Sequence, residues 1–172
     1  MTGPAPVPFP PLGNPRLTVV AVADLSHDPV FERLREQVVD ELPGPCRALS
    51  GEFDGWISAF VRTANDQSYR FDLRSLHGQD GPQILTIERG HDVPDLEGVC
   101  AGRERGTTKL VVLVGIHGDA TCKVRVDGLD HEAELAAGLV VIWPAFLSAH
   151  VDVLEGESLV ALTTTVHGPA FR

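Results

Sequence analysis

Residues 138–172 read GLVVIWPAFLSAHVDVLEGESLVALTTTVHGPAFR, and the fold turns on how this stretch is read. Leu139 to Trp143, Ala149 to Leu154 and Leu159 to Val166 are short apolar or alternating runs rich in β-branched residues, set apart by Pro144 and Gly156. Runs of this length and composition favour strands over helices. Working outward, Gln83 to Glu88, Lys109 to Ile116 and Cys122 to Asp127 are strand candidates of the same kind. Gly81, Gly118-Asp119, Gly128, Gly138 and Gly156 punctuate them as turns. Tyr69, Phe71 and Leu73 alternate with Arg70, Asp72 and Arg74, which predicts a half-buried strand there too. Short strands at such spacing predict a sandwich or jelly roll rather than a βαβ array.

Toward the N-terminus the texture changes. Leu17 to Ala23 (LTVVAVA) reads as a buried strand. Asp28-Pro29 then opens a helix, with Asp as N-cap and Pro at the first helical position. Val30, Phe31, Leu34, Val38 and Leu42 form its apolar stripe, Arg33, Glu36 and Asp40 take the other face, and Pro43-Gly44-Pro45 ends it. Residues 1–15 hold six prolines and predict an extended arm, leaving residues 16–172 as one domain. The class expected is therefore mainly β with a flanking helix.

A chain of 172 residues suits one domain, able to bury roughly two-thirds of its unfolded surface. Its 43 % apolar and 22 % charged content is that of a folded globular protein. No apolar run spans a bilayer, and MTGPAPVPFPPLGNP lacks the basic start and apolar core of a signal peptide. The net charge of −10 and the absence of any basic run argue against nucleic acid and anionic membranes as partners. Cys46, Cys100 and Cys122 form no CxxC pair, so buried free thiols in a cytoplasmic protein are expected, not a disulfide framework.

Phosphate-binding glycine loops, nucleophile elbows and zinc-helix motifs are missing from the sequence. The seven histidines are scattered, and His91-Asp92-Val93 and His131-Glu132-Ala133, each with a carboxylate next to the histidine, are not H-x-D or H-x-E pairs. The densest polar cluster is ERGHDVPDLEG, Glu88 to Gly98, with His91, Asp92, Asp95 and Glu97. It offers metal ligands or a general base, although such loops are more often simply solvated.

The C-terminal two-thirds resembles the prolyl-hydroxylase-like 2-oxoglutarate/iron(II) oxygenases. Tyr69 to Leu73 with Gln83-Ile84-Leu85, the strand opened by Lys109-Leu110, and above all Gly138 to Arg172 with its closing His167-Gly168-Pro169 carry the likeness. The resemblance implies a double-stranded β-helix (a jelly roll). It also implies iron held by a His-x-Asp pair and a distal His, with an Arg gripping the 2-oxoglutarate carboxylate. In the register of the likeness these four positions fall on Leu96, Gly98, Ala149 and Leu159, and His150 is one residue beyond the distal position. A bulge between Ala145 and Ala149 would be needed to turn His150 inward.

The resemblance places Leu96, Val111, Leu113, Ala149, Val151, Leu159, Ala161, Thr163 and Thr165 around the barrel interior, an apolar lining with a few hydroxyls. Such a lining suits a small organic substrate better than a dication and a dianion, unless these side chains simply fill the core. The expected function is accordingly a metal-independent, cofactor-free, non-redox catalyst of cyclase, isomerase or lyase type. Asp95, Glu97, His150 and His91 are its candidate proton-transfer groups. A non-catalytic ligand-binding or partner subunit is the second reading. An iron/2-oxoglutarate oxygenase with an atypical site of Asp95, Glu97 and His150 is the third. A homodimer is compatible with any of them.

Overall fold

The computed structural model describes residues 20–39, 44–45, 51–76, 82–91, 107–126 and 131–170. The strands are β1 (Ala21–Asp24), β2 (Gly44–Pro45), β3 (Ser75–Leu76), β4 (Gln83–Glu88), β5 (Thr108–Gly118), β6 (Thr121–Val126), β7 (His131–Leu135), β8 (Leu139–Pro144), β9 (Ala149–Glu155) and β10 (Ser158–His167). The helices are α1 (Pro29–Val39) and α2 (Gly51–Ala64), and α2 runs on into a π-helical turn, Asn65–Tyr69. The larger sheet is ordered β1-β8-β5-β10-β4-β2, with β3 also pairing β10, and the smaller is β7-β6-β9. Every strand pairing is antiparallel. Two curled sheets facing each other in this order make a double-stranded β-helix, as the sequence predicts.

Burial explains why the central strands lack alternation. The larger sheet is covered on both faces. Leu110, Val112, Val114, Val140, Ile142 and Leu162 pack against Phe31, Leu34, Val38, Ile57 and Phe60 of the helices. Val111, Leu113, Val141, Trp143, Leu159 and Ala161 pack against Cys122, Val124 and Leu135 of the smaller sheet. Strands apolar on both faces read as continuous hydrophobic runs. The smaller sheet shows its outer face to water, so β9 alternates half-buried and exposed residues.

α1 begins where its capping signal lies. Asp28 Oδ1 accepts the Val30 N–H at 2.8 Å, and Oδ2 accepts Trp56 Nε1–H of α2 at 2.9 Å. One carboxylate thus satisfies a helix terminus and joins the two helices. The apolar residues Phe53, Ile57, Phe60, Val61 and Ala64 that bury α2 recur at helical spacing, a pattern the sequence reading passed over, as it did β7.

The strand expected over Tyr69 to Leu73 is not formed. Residues 71–74 carry no regular secondary structure, and Arg70 is left-handed at φ 55°. The Asn65 side chain imposes this turn. Its Nδ2–H donates to Phe71 O and its Oδ1 accepts the Phe71 N–H, both at 2.9 Å. The alternation is nevertheless real, because Tyr69, Phe71 and Leu73 pack on the helix-side core while Arg70, Asp72 and Arg74 are exposed. Side-chain periodicity reports burial, and here burial comes without a ladder partner.

At its N-terminal edge β1 covers Ala21–Asp24, against the expected Leu17 to Ala23, of which residues 17–19 lie outside the described residues. The proline arm over 1–15, Leu42 and the thiols Cys46 and Cys100 lie outside them as well. Among the described residues, no helix is long and apolar enough to cross a membrane.

Candidate functional site

β10 runs the length of the barrel and defines its two ends. Leu159 pairs with Gly118 at one end and His167 with Thr108 at the other. The first, where Gly118 and Gly156 meet, is the glycine end. The second is the threonine end, reached also by Pro144 of β8, paired with Leu110, and by Ala149, the first residue of β9.

Along β10 the inward positions are Leu159, Ala161, Thr163, Thr165 and His167, so the interior changes from apolar to polar toward the threonine end. All five are buried. The His167 Nε2 lies 2.8 Å from Thr165 Oγ1, and its Nδ1 lies 3.4 Å from Thr108 Oγ1. Thr163 Oγ1 is buried and has no hydrogen-bond partner among the described residues. A bulge builds this cluster. Val166 pairs with Leu110 but His167 with Thr108, so Lys109 is the extra residue on β5. In regular register Thr108 would share the helix-side face of Leu110, and the bulge turns it toward His167 instead.

A neutral imidazole has one donor and one acceptor nitrogen, and a threonine hydroxyl can serve either. The Thr165–His167–Thr108 chain therefore accepts either tautomer, and a proton can be handed along it without charge being left in the core. An unsatisfied buried hydroxyl is disfavoured by about 1–3 kcal/mol, so Thr163 marks a place where a polar atom from outside the chain would be welcome. Cys122, also on the inner face, behaves otherwise. Burial pushes its thiol up, away from the reactive thiolate form.

The sequence-predicted residues separate into three groups. Val111, Leu113, Leu159 and Ala161 are wholly buried between the sheets, Thr163 and Thr165 are buried above them, and Ala149 and Val151 are half-buried against the same core. His150 and His91 are exposed and at opposite ends. His150 pairs with Arg125 on the outer face of the smaller sheet, in a ladder whose register shift lies between Thr121 and Cys122, at the far end of β9. No bulge turns it inward. His91 follows β4 at the glycine end, its Nδ1 3.8 Å from Glu88 Oε2. Asp95, Leu96 and Glu97 lie outside the described residues. Among the described residues, no three His, Cys, Asp or Glu side chains converge as a metal site would require.

Comparison with solved structures returns this topology. A prolyl 4-hydroxylase from Pseudomonas putida superposes with a TM-score of 0.57 at 13% sequence identity, covering 88% of this chain and 94% of that one. A viral collagen prolyl hydroxylase from Paramecium Bursaria Chlorella virus-1, solved as its 2OG complex, gives 0.58 at 8% identity, with 88% and 97% covered. The fold is that of the prolyl hydroxylases. No protein-family model and no curated protein matches the chain. At such identities the likeness carries the scaffold and leaves the chemistry to the residues in place.

Two residues of this cluster were missed by sequence reading. His167 stands in a stretch that carries the resemblance but was not singled out as a functional group. The role of Thr108 depends on the bulge at Lys109, which leaves no local signal.

Proposed function

We propose that this chain is a metal-independent, non-redox catalyst on the prolyl-hydroxylase scaffold, moving a proton on a small organic substrate at the threonine end. The observation that carries the reading is the buried Thr165–His167–Thr108 chain beside the unsatisfied hydroxyl of Thr163. A neutral hydroxyl is matched to a carbonyl or hydroxyl oxygen of the substrate, and His167 to proton transfer at the neighbouring atom. Asp95 and Glu97 remain the proposed acidic partners. His91 and His150 give way to His167, which faces the interior. Leu159, Ala161, Val111 and Leu113 serve as a packed floor that keeps water away from the reacting atoms.

Iron and 2-oxoglutarate do not fit the described residues at the two positions that the resemblance assigns to them. At the position where the resemblance needs the distal histidine the chain offers the methyl of Ala149, and at the carboxylate-gripping position the wholly buried isobutyl of Leu159. Neither side chain donates to a metal or pairs with a carboxylate.

The test follows hydrogen–deuterium exchange at carbon in small carbonyl compounds incubated with the full-length protein. Exchange is expected to persist in a chelator and to fall by about 10²–10⁴-fold in His167→Gln. Uptake of one iron per chain with 2-oxoglutarate-dependent succinate release would overturn the proposal. Tight binding of such a compound without exchange would replace it with the ligand-binding reading.

A further inference from the structure

The chain enters the larger sheet at the threonine end. Ala21, the first residue of β1, pairs there with Ile142 of β8, and the carbonyl of the same Ile142 accepts the Tyr69 hydroxyl at 2.9 Å. From Tyr69 a row of rings leads outward. Tyr69 and Phe71 stack with centroids 6.0 Å apart and planes 7° from parallel. Phe71 and Phe146 stand edge to face at 6.4 Å and 80°. Tyr69 and Phe71 are half-buried, whereas Phe146, in the loop between β8 and β9, is 64 % exposed. Apolar ring faces therefore meet water close to the point where the chain preceding β1 arrives.

The segment that leads to this point has matching chemistry. Residues 1–15, MTGPAPVPFPPLGNP, hold six prolines and no Asp, Glu, Lys or Arg, in a chain that is 22 % charged. Proline fixes φ near the polyproline II value, so such a segment gives up little conformational freedom when it binds. Extended proline-rich segments dock on surfaces lined by aromatic rings. From this arrangement we propose that the chain's own residues 4–11, PAPVPFPP, lie across the Tyr69–Phe71–Phe146 row. A polyproline II segment rises about 3.1 Å per residue, so roughly four residues cover the two ring spacings. Residues 12–20 provide the tether back to β1. Attachment to β1 gives the segment an effective concentration on the order of mM, which favours it over a free partner of the same composition. The docking rests on ring geometry, composition and chain entry, and does not depend on the reaction at the threonine end.

Tyr69 is the only tyrosine of the chain, so isotope-labelled tyrosine places one reporter ring in the full-length protein. Nuclear Overhauser contacts between this ring and proline ring protons are expected. They are expected to be lost in Pro6→Ser/Pro8→Ser/Pro10→Ser, and lost also in Phe146→Ser, which alters only an exposed side chain. Absence of the contacts in the wild type, or their survival in either variant, would overturn the proposal. The source of the segment is checked by mixing the labelled triple variant with unlabelled wild-type chain. No contact is expected to return in the mixture. Its return would assign the row to the proline segment of a second copy and overturn docking within the chain.

Discussion

The two ends of the barrel are built on opposite principles. At the glycine end, backbone packs on backbone. A Cβ on Gly118 would come within 2.3 Å of Ser158 O, and one on Gly156 within 2.3 Å of Asp119 O. Asp119 Oδ1 accepts the N–H groups of Glu157 and Ser158, each at 3.1 Å. Arg89 donates to Gly156 O and Leu154 O at 2.9 and 3.1 Å. The turns are closed by groups that find their partners within the chain. The threonine end instead buries hydroxyls and an imidazole among apolar neighbours and leaves one hydroxyl unsatisfied. Stability would be served as well by valines there. The contrast teaches where this molecule is organised to hold itself together and where it keeps polar groups that packing does not require.

The comparison can be broken most sharply at the glycine end. Gly156 has φ 76° and no room for a methyl group, so Gly156→Ala combines left-handed strain with a backbone clash. A loss of about 3 kcal/mol or more is expected, read as a lowered urea midpoint at constant slope. At the threonine end, Thr163→Val removes a hydroxyl that has no partner. Its stability is expected to be unchanged or higher by up to about 1 kcal/mol, while exchange activity falls. A destabilisation of the size seen at Gly156 would show that Thr163 is structural and erase the distinction between the ends.

The smallest effect concerns acid. The N–H groups of Ser158 and then Glu157, with a further attraction from Arg89, hold the Asp119 carboxyl below the usual carboxylate range. With the folded-state pKa depressed, its contribution is fully present above the ordinary aspartate value and is lost as pH falls through the folded one. The urea midpoints of wild type and Asp119→Asn are therefore expected to differ at neutral pH and to converge as the pH is taken below the ordinary aspartate range. A difference that stays constant over that range would remove the charged carboxylate from the account.

Much of this fold was legible locally. The strands Gln83–Glu88 and Leu139–Pro144, the cap at Asp28 and the glycine turns at 118, 138 and 156 follow from period, composition and turn chemistry within a few residues. Tyr69 to Leu73 shows the limit. Its alternation is the same whether a ladder partner or a helix covers the apolar side, and only the Asn65 clamp decides. The candidate site was legible only in part. Thr163 and Thr165 follow from alternation along β10, whereas the contact of His167 with Thr108 joins two strands across a separation of 59 residues.

By itself, then, the sequence determined most of the strand and turn segments of this chain. Those are properties of single residues and short windows. The tertiary structure decided which face each side chain meets. One bulged residue, Lys109, turns Thr108 inward, while a regular β6–β9 register at Val126 and Ala149 keeps His150 outside. Strand side chains alternate with period two, so a single residue of register moves a group between core and water. That register is set by the neighbouring strand and cannot be read from the strand alone.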